Sequence, residues 1–302
     1  MPKFRKIPPP EQQARAVVGR LVDIGVLRRN PNAPASVGTV RNVRQCLTQI
    51  ARHLAKDGLE LLDLDQAKAD AYLYSRVADL GQKALDGHRQ ALQKLLIHVR
   101  GLLPKGGKLT IVRSLKPSRR GGRAYAPHQV PMVAARQTAP NALATLIAHA
   151  AGLRAHELLT LARAAERPPD VRPARPEKFE GRPGTDYTAV GKGGLVRLVR
   201  LPDDLARHLE ERRLERPELV TDRGIRYQSR YDIGGGEAWS RSFSRASHAA
   251  LGWSRGAHGV RHSYAQERMD ELQRRLVYDD ALEVVSQELG HFRPQITEEY
   301  LR

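Results

Sequence analysis

Apolar residues recur at helical spacing in four stretches of the first third of the chain. "PEQQARAVVGRLVDIGVL" has prolines ahead of it, and "RNPNAP" ends it. "SVGTVRNVRQCLTQIARHLAKDG" opens on a Ser cap and closes on Gly58. "LDQAKADAYLYSRVADLG" and "QKALDGHRQALQKLLIHVRGLL" follow. Four helices with short connections predict a compact helical bundle. "PKGGKLTIVRSLKPSRRGGR" then interrupts the pattern with Gly, Pro and charge. It places a basic linker at about 105–123, with a first domain over 1–118 and a second over 124–302.

The second domain is again mainly helical. "PNALATLIAHAAGLRAHELLTLARAA" predicts helix with a turn at Gly152. "TDYTAVGKGGLVRLVRLP" changes period to two short strands around a "GKGG" tip, a hairpin signal. Helix resumes at "DDLARHLEERRL", and "DRGIRYQSRYDIGGGEAW" reads as a loop with some extended character. "SRSFSRASHAAL", "AHGVRHSYAQERMDEL", "DDALEVVSQELG" and "RPQITEEYLR" complete a helical series. The predicted class is therefore mainly α with a small inserted antiparallel β-sheet.

Charge changes the picture more than composition does. The chain of 302 residues carries a net charge of +18. Residues 1–124 hold 24 Lys/Arg and 9 Asp/Glu, a net of +15, and the remainder holds 27 and 24, a net of +3. Between 100 and 123 eight residues are basic and none is acidic. One charge run is usually a solvated linker. A whole basic domain points to a polyanion, and to nucleic acid over a membrane surface, because no strongly amphipathic basic helix accompanies it. No apolar run approaches a membrane span, and the N-terminus lacks the apolar run of a signal peptide. Cys46 is the only cysteine, which excludes an internal disulfide or Cys-based zinc site and favours a reducing, cytoplasmic setting.

Four motifs carry candidate chemistry, each ordinary by itself. In "AGLRAHELLTL", Arg154 and Glu157 stand three apart, a shared helix face. An Arg held by Glu is a rigid fork for phosphate, although a surface ion pair is the commoner meaning. In "GAHGVRHSYAQE", His258 and Arg261 fall near a helix start, where exposed N–H groups favour an anion. A half-buried His beside a surface Arg is the bland reading. Lys192 lies in "GKGG" at the hairpin tip, by default a solvent-facing turn lysine, and the P-loop spacing is absent. In "LGHFRPQITEEY", Leu289-Gly290 closes a helix and Pro294 suits the first turn of the next. Tyr300 falls about two turns into that helix, where a lone Tyr is usually core. Tyr264 and Tyr278 compete with it on composition alone.

The ordered set is less ordinary. "GLRxxEL", a hairpin with "GKGG", "HxxRH", and "LGH" with a Tyr nine residues on resemble the tyrosine recombinase (phage integrase) family over the whole of 125–302. The basic first domain resembles that family's core-binding, SAM-like helical domain. The resemblance implies a C-terminal recombinase catalytic domain and six active-site residues: Arg154, Lys192, His258, Arg261, His291 and Tyr300. It implies cutting and rejoining of duplex DNA, with Tyr300 attacking phosphorus to give a 3′-phosphotyrosyl bond and a free 5′-hydroxyl. His258 is then the candidate base, since a phenol has a pKa of roughly 10. Arg154 and Arg261 would clamp the non-bridging oxygens, His291 would hydrogen-bond the same phosphate, and Lys192 would protonate the departing oxygen. Glu157 supports Arg154. No metal and no cofactor are implied, because side chains supply the cations. The acidic pairs Asp63/Asp65 and Asp279/Asp280 lack the partners of a two-metal site.

The expected partner is duplex DNA with inverted-repeat core sites, gripped in a clamp of which the first domain and linker form one half. Lys105, Lys108, Arg113, Lys116, Arg119, Arg120 and Arg123 are the expected phosphate contacts, and Arg41 and Arg44 the expected base readers. The resemblance also implies a homo-tetramer when two duplexes are synapsed, a monomer when free, an accessory directionality protein, and a nucleoid-associated, bacterial setting. Relatives continue past the nucleophile with a segment that docks on a neighbouring protomer. Here only Leu301 and Arg302 follow, so protomers are expected to couple through another surface unless a tail has been removed. Two other readings compete: a type IB topoisomerase, disfavoured by the His258-x-x-Arg261 box and the basic first domain, and a catalytically inactive DNA-binding relative, disfavoured by the full set of six.

Overall fold

The computed structural model describes residues 7–21, 37–117, 121–191 and 193–302, so Lys192, Arg119 and Arg120 lie outside the described residues. Two compact units divide the chain, Met1–Arg119 and Arg120–Arg302. No helix of the described residues is long and apolar enough to cross a membrane.

The first unit contains α1 (Pro10–Leu21), α2 (Val37–Leu54), α3 (Gln66–Ser75) and α4 (Gln82–Lys94), the last running into a π-helical turn over Leu95–Arg100. Periodicity sets its core. Val17, Val18 and Leu21 of α1 meet Val43, Leu47, Ile50 and Leu54 of α2 and Leu92, Leu95 and Leu96 beyond. The same periodicity leaves Arg41 and Arg44 exposed on the opposite side of α2. Asp65 caps α3 by accepting from the Lys68 N–H at 2.8 Å. His88 is a satisfied core histidine, held by the Tyr72 hydroxyl at 2.8 Å and Gln49 at 3.0 Å.

The segment expected as a linker differs from expectation over 103–116. Leu103, Leu109 and Val112 are buried in the bundle core. Gln93 accepts from the Leu109 N–H, and Gln82 accepts from the Ser114 N–H while donating to the Val112 carbonyl. The Leu115 N–H donates to the Val77 carbonyl at 2.9 Å. Buried apolar anchors and paired backbone groups fasten this stretch to the unit, although its Gly, Pro and charge read as a break. Lys105, Lys108, Arg113 and Lys116 point outward between the anchors.

The second unit holds α5 (Gln129–Ala134), α6 (Ala139–Ala150), the strands β1 (Ala162–Arg163), β2 (Thr185–Val190) and β3 (Val196–Leu201), then α7 (Asp203–Glu210). These strands form one antiparallel sheet in the order β1-β2-β3, with Thr188 opposite Leu198. Next come β4 (Arg213–Asp222), β5 (Ile225–Tyr231), α8 (Gly236–Leu251), α9 (Gly259–Leu272), α10 (Tyr278–Glu288) and α11 (Pro294–Thr297), which ends in a 3₁₀ turn over Glu298–Tyr300. One core joins α5, α6 and α8 to the sheet through Val133, Ile147, Tyr187, Val199, Trp239 and Phe243. A second joins α9 to α10 through Tyr264, Met269, Leu272, Leu282 and Val285, with Tyr300 and Leu301 packed against it.

Three local expectations change. Helix does not continue past Gly152: residues 151–152 and 155–157 are turns with irregular backbone between them, followed by a 3₁₀ turn at Leu158–Thr160 and β1. Arg154 and Glu157 therefore share a folded turn and not a helix face. The stretch 213–231, expected as the end of a helix and a loop, is a second hairpin, β4–β5, with a register irregularity between Arg213 and Glu218 around Pro217. Tyr300 lies on a 3₁₀ turn after a four-residue helix.

Candidate active site

The site is built around one buried carboxylate. Glu157 is 0% exposed, and its Oε1 accepts from Arg154 Nη1 at 2.7 Å. Its Oε2 accepts from the Arg154 backbone N–H at 2.9 Å and from Arg197 Nη2 at 2.8 Å, and Arg261 Nη1 stands 3.8 Å away. Burial opposes its ionisation, but Arg197, Arg261 and Arg154 outweigh burial and hold its pKa well below the usual carboxylate range. The alternation of β3 explains Arg197. Arg197, Val199 and Leu201 share the inward phase, so the strand delivers a charged side chain into the core.

Arg261 is fully buried one turn into α9. Its Nη1 donates to the Gly152 carbonyl and its Nη2 to the Leu289 carbonyl, and Nη2 also donates to His291 Nε2 at 3.0 Å. Burial and then the neighbouring Arg154 press its pKa down, while Glu157 holds it up; a guanidinium stays charged at neutral pH. Its Nε is buried without a partner. The other ring nitrogen of His291, Nδ1, lies 3.0 Å from Thr297 Oγ1. Because Nε2 accepts from a guanidinium, Nδ1 carries the proton. Burial first, then Arg261 and Arg154, bring the His291 pKa down to about 3, so the ring is neutral near pH 7.

Two glycines make this packing possible. Gly290 has φ 70°, and a Cβ there would lie 2.7 Å from Arg197 Cδ. Gly259 opens α9, and a Cβ there would lie 2.5 Å from the Arg123 carbonyl oxygen, which brings residue 123 beside the helix start.

Tyr300 stands amid these groups. Its ring centroid lies 5.4 Å from His258, 4.9 Å from His291 and 4.6 Å from His262, and Arg261 Cζ stands 5.6 Å from it. The last turn is held in place by Gln266, whose Nε2 donates to the Tyr300 carbonyl at 3.2 Å. His258 is the N-cap of α9, with part of its ring open to solvent. Lost hydration around the rest, then Arg261, His262, Arg154 and Arg123, press its pKa down to about 3. At neutral pH it is an uncharged base among cations.

The structure thus brings Arg154, Glu157, His258, Arg261, His291 and Tyr300 together. It separates Tyr264 from them in kind: Tyr264 is buried, its hydroxyl donates to Glu288 at 2.7 Å, and burial raises its pKa above the usual phenol value. Tyr278 is exposed at the start of α10. Arg123 is exposed in the second unit, with its charge felt at His258 and His262. Two residues of the site escaped the sequence reading. Arg197 could have been found, as a charge in the inward phase of a strand. His262 follows Arg261 directly and lies i+4 from His258, the helical spacing that puts both on one face.

This fold is that of the tyrosine recombinases, a mainly helical chain with a small antiparallel sheet beside the arginine cluster. The chain is similar in structure to the XerH site-specific recombinase bound to a palindromic difH substrate, with TM-score 0.59 at 15% identity, covering 100% of this chain and 95% of that one. It is similar to the lambda integrase tetramer bound to a Holliday junction, with TM-score 0.55 at 17% identity over 96% of this chain and 76% of that one. It is also similar to the Tn1549 transposon integrase in complex with transposon right-end DNA, with TM-score 0.55 at 12% identity over 98% and 95%. No family model matches the sequence, and no curated protein matches it.

Proposed function

We propose that this chain is a site-specific DNA recombinase of the integrase or mobile-element kind, which cuts and rejoins duplex DNA through Tyr300. The observation that carries the reading is the meeting of Arg261, His258 and His291 around the Tyr300 ring, with Arg154 joined to Arg261 through the Glu157 carboxylate. Tyr300 Oη attacks the phosphorus, its proton passes to His258, the P–O5′ bond breaks, and a 3′-phosphotyrosyl ester forms. The ester keeps the energy of the phosphodiester, so rejoining by the 5′-hydroxyl needs no ATP. Arg154 and Arg261 meet the charge on the non-bridging oxygens, and Lys192 gives the leaving oxygen its proton. The unpartnered Arg261 Nε supports this reading, since a buried donor without an acceptor is better placed where an anion will arrive. His291 donates from Nδ1 to Thr297 at present, so contact with the phosphate would require it to exchange that partner or the one at Nε2.

The exposed basic residues of the first unit, Lys105, Lys108, Arg113 and Lys116, with Arg41 and Arg44 on α2, would hold the duplex. Exchange between two duplexes requires four copies of the chain on DNA, one for each strand cut.

The test is capture. A pool of nicked duplexes of random core sequence is incubated with the protein in EDTA without ATP, and covalently bound DNA is recovered and amplified. The expected outcome is an enriched inverted-repeat site attached at Tyr300, with Tyr300→Phe binding that site and forming no adduct. An adduct that survives Tyr300→Phe overturns the assignment of the nucleophile.

A further inference from the structure

We infer that His262 is a positioning residue for Tyr300, a role that rests on the reading of Tyr300 as the nucleophile and deepens it. His262 is 7% exposed and sits on α9 one turn after His258 and one turn before Gln266. These three side chains form a stripe along one face of the helix, and all three engage the same residue. His258 and His262 lie 5.4 Å and 4.6 Å from the Tyr300 ring, and Gln266 holds its carbonyl. Of the three imidazoles around the phenol, His262 is the nearest and the most nearly parallel, tilted 31°. It also meets His258 edge-on at 5.5 Å and 84°. One ring therefore fixes the planes of both proposed reacting groups.

The placement is unusual for a core histidine. His88 in the first unit pairs both ring nitrogens. His262 instead keeps Nδ1 buried and unpartnered, which a structural histidine normally avoids. The charged groups around it are Arg123 from the chain entering the unit, Arg261 on its own helix and Glu299 on the last turn, with His258 as the titratable neighbour. The geometry assigns His262 to hold the plane and position of the phenol ring beside His258. A misplacement of about 1 Å at a reacting atom costs on the order of 100-fold in rate.

The experiment compares His262→Ala and His262→Phe with the unaltered chain in two assays. In single-turnover cleavage of a captured nicked duplex, His262→Ala should fall on the order of 100-fold while DNA affinity and melting temperature stay near those of the parent. His262→Phe, which restores a flat ring, should recover most of that loss. Without DNA, nitration of Tyr300 by tetranitromethane, read by peptide mass, should rise several-fold in His262→Ala and stay near the parent in His262→Phe. Equal cleavage and equal nitration in all three proteins overturn the role. A loss in His262→Ala that Phe fails to restore, with nitration unchanged, also overturns it, since the ring nitrogens would then act by another route. Failure of the nucleophile reading is distinguishable: the parent would form no adduct at Tyr300, while the nitration pattern would still report on the position of the ring.

Discussion

The second unit contains two buried glutamates, each wrapped in arginine, and they differ in their balance of charge. Glu288 takes Arg268 Nε at 3.1 Å on both oxygens, the Tyr264 hydroxyl at 2.7 Å and the Phe179 N–H at 2.8 Å. Arg268 goes on to Glu271 at 2.9 Å, and Glu271 takes Arg182 at 2.7 Å. Two carboxylates meet two guanidiniums, and the network closes on itself. Glu157 alone faces Arg154, Arg197 and Arg261. One carboxylate cannot neutralise three guanidiniums, and a surplus of positive charge remains in the cluster whose Arg261 meets Tyr300. A closed network serves the fold. A network with surplus positive charge favours an incoming anion.

Removing either carboxylate should test this difference with the largest effect. Glu157→Gln leaves Arg197 and Arg261 buried without their counter-charge, and Glu288→Gln leaves Arg268 with the Glu271 carboxylate alone. Each should cost about 3–5 kcal/mol in a denaturant titration. The two should separate on addition of phosphate or DNA, which supplies an anion to the Glu157 arginines and none to Arg268. Recovery of melting temperature with DNA in Glu157→Gln alone sharpens the comparison; equal recovery in both breaks it.

Acid should have a graded effect, spread over several pH units. His258 and His291 have folded pKa values near 3 and His262 near 4, against about 6.5 in an unfolded chain. Between those limits the unfolded chain binds more protons, so stability rises with pH and falls on acidification below about 6.5. The contribution is fully present above pH 6.5 and is lost towards pH 3. Bound DNA should shrink this loss, because a phosphate beside the imidazoles favours their charged forms in the folded complex and raises their pKa towards the unfolded value. A melting temperature that is flat from pH 7 to 4 would contradict the neutral-imidazole assignment.

The smallest effect concerns the first unit. Neutralising Lys105, Lys108, Arg113 and Lys116 should weaken DNA binding broadly and flatten its salt dependence by about 0.9 for each phosphate no longer paired. Melting should be unchanged, since these side chains point outward from buried anchors. An unchanged salt slope would remove this strip from the DNA-binding surface.

Much of this architecture was legible in the sequence because burial imposes a period. The faces of α1 and α2 and the β2–β3 hairpin follow directly from it. Three features did not. The turn at 151–157 has a helical pattern, but Glu157 folds back to take the Arg154 N–H and so replaces a helical hydrogen bond. Strand β4 is exposed along nearly all its length, leaving no alternation to read. The 103–116 strip has only three widely spaced apolar anchors, and the rest of its hold comes from Gln82 and Gln93, whose partners are main-chain groups that no pattern of side chains announces. The candidate site was legible as spacing, since Arg154, His258, Arg261, His291 and Tyr300 converge. Its depth was not. Arg197 and His262 became visible only when strand phase and helix face were set by the packing around them.

The rear of the site is moored to the main chain. Arg261 holds the carbonyls of Gly152 and Leu289, and Arg197 holds those of Glu288 and Gly152. A carbonyl oxygen is the same atom whatever side chain the residue bears, so at Leu289 a substitution that keeps the backbone path keeps the acceptor, whereas Gly152, at φ 57° and packed against Leu289 and Tyr264, must keep its glycine. Such a mooring is indifferent to most drift in the surrounding alphabet. That is one physical way for a packing arrangement to tolerate change in the residues around it, in a chain that shares its fold with others at 12 to 17% identity.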